Sequence, residues 1–116
     1  GLFADDLTRG SYYFVIQVIK DTAATEDEKK QEADKIARYC SGAPAGKAVP
    51  ATRALYLTKT GSRVWLAVAT EPFDSGVETD RVKEIEKKVE ALGRDPANPT
   101  LYKFKLEKTL VLLNEG

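Results

Sequence analysis

The sequence predicts an α+β domain in which two helices pack on one face of a four-stranded antiparallel sheet. Three observations lead there. Four runs are rich in aromatic and β-branched residues, two stretches show apolar spacing of three and four behind capping signals, and Gly/Pro-rich turns separate them.

Residues 1–11 carry no periodic pattern and read as a lead-in. Residues 12–19, Tyr-Tyr-Phe-Val-Ile-Gln-Val-Ile, read as a strand, and with Gln17 the lone polar member they fit a central position. Thr25-x-x-Glu28 has the form of a capping box, and Glu26, Asp27 and Glu28 suit the positive end of a helix dipole. The helix runs to Tyr39 or Cys40 and presents Ala33, Ile36, Ala37 and Cys40 as its apolar stripe. Ser41 to Pro50 reads as a flexible connector. Strands follow over 51–60 and 63–70, joined at Thr60-Gly61-Ser62, a turn of hairpin length.

Asp74 or Ser75 can cap a second helix whose buried stripe is Val77, Val82, Ile85, Val89 and Leu92, with Gly93 placed to end it in a left-handed conformation. Leu101 to Leu113 completes the pattern as a long last strand. Residues 12–113 thus form one domain, with 114–116 a tail. The order β-α-β-β-α-β matches the ferredoxin-like, split βαβ arrangement.

Composition narrows the function. The 116 residues are enough to bury about two thirds of the unfolded surface. Basic and acidic residues number 18 each, a neutral balance that speaks against nucleic acid as a partner and is compatible with a homodimer. Histidine is absent and there is one cysteine, so the usual general base, an intrachain disulfide and a cysteine-based zinc cluster are all missing. No enzyme activity, cofactor or metal is expected. No apolar run approaches the roughly 18 residues that span a bilayer, so no direct membrane insertion by this chain is expected. The chain starts Gly1-Leu2-Phe3 without any methionine and reads as a segment of a longer protein.

Two motifs are set aside. Gly42-Ala43-Pro44-Ala45-Gly46-Lys47-Ala48 has one residue too few between its glycines for a phosphate-binding loop, ends in Ala, and follows a helix. Cys40 falls in register with the helix stripe and reads as a packing residue.

An open sheet face is the natural place for binding. Taking Phe14, Ile16, Val18, Leu55, Leu57, Val64, Leu66 and Val68 as inward leaves Tyr13, Val15, Gln17, Tyr56, Thr58, Arg63, Trp65 and Ala67 outward, with Lys103 and Lys105 beyond. Gln17, Tyr56, Arg63 and Trp65 are the candidate ligand contacts, since aromatic faces beside amide and guanidinium donors suit sugars, bases or peptides. RNA is disfavoured, because Arg-Val-Trp-Leu-Ala-Val-Ala lacks the glycines and paired aromatics of RNA-recognition strands.

Tyr13-Phe14-Val15-Ile16-Gln17-Val18, Arg63-Val64-Trp65-Leu66-Ala67-Val68 and Glu71-Pro72-Phe73-Asp74-Ser75 resemble stretches of SPOR (sporulation-related repeat) domains. Ile19-Lys20-Asp21 and Glu71 stand where that family usually has glycine. The resemblance implies a βαββαβ fold, binding of peptidoglycan glycan strands on the open face through Gln17, Arg63 and Trp65, and a bacterial cell-envelope location, extracytoplasmic or periplasmic. The expectation is therefore a non-catalytic binding module of a larger envelope protein. The alternative is a protein-interaction or oligomerisation domain using the open face or an edge strand.

Overall fold

The computed structural model describes residues 2–3, 11–20, 23–57, 63–69, 71, 73, 80–94 and 109–113. Their elements are β1 (Leu2–Phe3), β2 (Ser11–Ile19), α1 (Glu26–Ser41), β3 (Ala51–Leu57), β4 (Arg63–Ala69), α2 (Asp80–Gly93) and β5 (Thr109–Leu113). The strands form one sheet in the order β1-β3-β4-β2-β5, with every adjacent pair antiparallel.

This corrects the four-stranded, ferredoxin-like sheet expected from the sequence; the mixture of α and β elements is as expected. Among the described residues the sheet has five strands. The extra one comes from the segment read as a lead-in, where Leu2 and Phe3 pair with Tyr56 and Leu55 at the outer edge of β3. Two residues carry too little pattern to announce a strand, and their pairing depends on a partner more than 50 positions away. The turn at 60–62, the cap at 74–75 and residues 101–108 of the last strand lie outside the described residues.

α1 begins as its sequence dictates. The Thr25 side chain accepts from the Glu28 amide at 3.2 Å and its hydroxyl lies 3.3 Å from the Glu28 carboxylate. Ala33, Ile36, Ala37 and Cys40 are its buried face. On α2, Val82, Val89 and Leu92 are buried. Gly93 is not a left-handed terminator: it is the last helical residue, and the Arg94 amide donates back to the Glu90 and Ala91 carbonyls. Among the described glycines the positive φ belongs to Gly46.

The connector after α1 is anchored at both ends. Gly42 donates to the Arg38 carbonyl at 2.8 Å, and the Lys47 amide closes a turn onto the Pro44 carbonyl at 2.9 Å. Gly46 has φ of 84° in that turn, a conformation that other residues adopt only with strain. Buried Val49 donates to the Cys40 carbonyl, and the Ser41 hydroxyl bridges both backbone groups of Ala51 at 3.0 Å. These bonds satisfy the helix end and the start of β3 together.

Register and burial divide the interior by sheet face. The larger cluster joins both helices to Phe14, Ile16, Ile19, Ala67, Ala69 and Phe73, with Trp65 packed at its edge. A second cluster, Val15, Ala54, Leu66 and Val68, contains no helical residue. The switch between faces is set by a bulge in β2. Val15 pairs with Val68, but Gln17 pairs with Ala67, so one extra residue is inserted at Ile16. Beyond it the alternation is inverted: Gln17 and Ile19 fall in phase with the helix-bearing side, and Val18 joins the other.

Candidate functional site

The face assignment drawn from the sequence is reversed for β4. Ala67 and Ala69 lie against the helix-bearing core, while Val64, Leu66 and Val68 belong to the opposite cluster. The reason is physical. Side-chain size identifies the buried side when the other side is wet, but here both are covered: Leu66, Ala67, Val68 and Ala69 are all buried. A helix lying close on a sheet also favours small residues beneath it, and α1 supplies Ala33 and Cys40 to the same cluster as Ala67 and Ala69. Nor is the other face open, because Val15, Ala54, Leu66 and Val68 are 1%, 1%, 4% and 0% exposed. Tyr13, expected outward, is buried as well.

The four residues singled out from the sequence consequently do not form one helix-free surface. Gln17 follows the bulge, is half-buried, and its side-chain oxygen accepts from the neighbouring Val18 amide at 3.2 Å. Arg63 and Trp65 share its phase, on the helix-bearing side. Tyr56 is in register with Val64 and Leu2, one position out of phase with Trp65.

What the fold does assemble is a polar margin where the first turn of α1 meets β3 and β4. The Trp65 indole N–H donates to Glu26 Oε2 at 3.1 Å, and Lys29 Nζ holds Glu26 Oε1 at 3.0 Å. The Arg53 guanidinium stands 5.8 Å from the Trp65 ring centroid, within cation–π range, and 3.7 Å from Asp34, which also pairs with Arg38. The Lys29 hydrogen bond, opposed in part by desolvation and aided by the Trp65 N–H and the charges of Lys29 and Arg63, holds the Glu26 carboxyl below its ordinary value of 4.5.

Glu26 and Lys29 were legible as a helix pair at i,i+3 spacing. Arg53 and Asp34 were not, because only the crossing of α1 over β3 brings them together. A groove runs along Glu28, Lys29, Glu32 and Lys35 on α1.

Glu26 is held ionised at neutral pH, so it is a poor proton donor there. Cys40 is fully buried, and burial pushes its thiol up to about 11, far from a usable thiolate. Among the described residues no group of three or more potential ligands could hold a metal ion, and no helix is long and apolar enough to cross a membrane. No family model, curated protein or solved structure matches this chain.

Proposed function

We propose that this chain is a non-catalytic binding module. The observation that supports it best is the half-buried Trp65, fixed by Glu26, lying under Arg53 and two residues from exposed Arg63 on the same strand phase. An indole held in place under one guanidinium and near another combines an apolar ring with charged donors. That combination suits a sugar ring, whose faces are apolar and whose edge hydroxyls accept hydrogen bonds.

On this reading the ligand is a cell-wall glycan, as the SPOR resemblance implies, met at the sheet margin beside α1 and not on a helix-free face. Retention on insoluble peptidoglycan tests it. The wild-type chain is expected to be retained, with Arg63→Ala and Trp65→Ala at least tenfold weaker and circular dichroism unchanged. Arg63 is exposed, so its replacement reports on binding even if the Trp65 variant is unstable. Equal absence of retention for all three sinks the glycan reading.

One observation favours oligomerisation as a second reading. Among the described residues β5 pairs only with β2, and Thr109-Leu110-Val111-Leu112-Leu113 holds none of the charges or prolines that blunt an edge strand. Light scattering across a concentration range distinguishes the two. Dimerisation abolished by Val111→Lys supports the edge, and a monomer at every concentration removes it.

A further inference from the structure

The anchored loop after α1 builds a feature that the binding proposal does not use. Together with the last turns of α1 and α2 it walls a groove of about 430 Å³, within the range of small-molecule sites. Tyr39, Ala43, Pro44 and Leu92 supply apolar lining, and Arg38 and Lys47 line it as cations. The loop residues are held by the turn bond from Lys47 to Pro44, by Gly42 on Arg38 and by Val49 on Cys40, so the groove is formed before any ligand arrives.

Its charge is one-sided, since among the described residues no carboxylate lines it. Arg38 is already shared with Asp34 at 3.4 Å, whereas among the described residues no carboxylate pairs with the Lys47 ammonium. The negative ends of the two helix dipoles oppose an anion here. That opposition is blunted because the Arg38 and Cys40 carbonyls of α1, and the Glu90 and Ala91 carbonyls of α2, each accept a backbone hydrogen bond. The full charge of Lys47 and the partly neutralised one of Arg38 face what remains. One uncommitted cation beside an apolar trough matches a monoanion better than a phosphate monoester.

We propose that this groove binds a medium-chain carboxylate, its alkyl chain lying against Tyr39, Pro44 and Leu92 and its head group on Lys47 with Arg38 beside it. Titration of the ¹⁵N-labelled 116-residue chain with octanoate below its micelle concentration, and with 1-octanol, tests this. Octanoate is expected to shift the Tyr39, Ala43, Lys47 and Leu92 amides saturably, with octanol weaker by about fivefold, the upper value of an exposed ion pair. Lys47→Glu, at an exposed position, is expected to lower octanoate affinity by at least that factor and to leave octanol unchanged. Absence of saturable shifts with octanoate, equal affinity for octanol, or an unaffected Lys47→Glu variant overturns the proposal.

Discussion

The helix-bearing face of the sheet is wide and mixed in character, joining Phe14, Phe73 and Trp65 to the small residues Ala33, Ala67 and Ala69. The opposite face is narrow and aliphatic, made of Val15, Ala54, Leu66 and Val68 with Val18 and Val64 at its edge. The first is also fastened at its margin by charge and hydrogen bonding, from Glu26 to Trp65 and Lys29 and from Asp34 to Arg53. The second depends on apolar packing. The contrast separates two ways of holding a sheet: packing alone, which is insensitive to pH, and packing combined with ionisable groups, which is not.

The strongest way to break that comparison is to remove a side chain from the aliphatic face. Leu66→Ala is expected to cost about 2–5 kcal/mol in urea unfolding, because the lost transfer energy and the cavity add. A loss under about 1 kcal/mol would mean that Leu66 sits on no core at all, and the two-core description would fail.

A smaller effect should appear on the helix-bearing side alone, through Cys40. Its thiol titrates near 9.0 when unfolded and at about 11 when folded. Between those values the unfolded state loses its proton first, so stability is fully present below pH 9 and falls as pH rises toward 11. The difference amounts to roughly 2–3 kcal/mol. Comparing unfolding of the wild type with Cys40→Ala across that range isolates it from other alkaline titrations. Parallel curves would place Cys40 in solvent.

The least costly change sharpens the margin. Trp65→Phe keeps an aromatic ring but removes the donor to Glu26, and is expected to cost less stability than either change above. Because the folded carboxyl titrates below 4.5, its contribution is present at neutral pH and disappears as pH falls through that lowered value. Wild-type Trp65 fluorescence should therefore change in acid, and the same titration of Glu26→Gln should be flat. A matching acid transition in Glu26→Gln would assign the signal to another group.

Much of the local structure was legible because its causes are local. Thr25 and Glu28 cap α1 as their spacing indicates, and Ala33, Ile36, Ala37 and Cys40 lie on one helical face whatever they pack against. The candidate site was legible only in its parts. Trp65 and Arg63 do share a strand phase, but Glu26 and Arg53, which complete the surroundings of the indole, come from elements 39 and 12 positions earlier, and no motif links them.

By itself, then, the sequence determined where the two helices and the longer strands lie, the absence of histidine and the alternation expected within each strand. Tertiary structure alone decided which phase of that alternation meets the helices. A period of two separates the faces without labelling them, and when both are buried the larger apolar residues no longer identify the helix side. The extra residue at Ile16 then inverts β2 part-way along, and Leu2–Phe3 gains its strand only from the edge of β3. The feature first expected to be an open surface is a second core, and the exposed chemistry lies at the margin and beside the loop after α1.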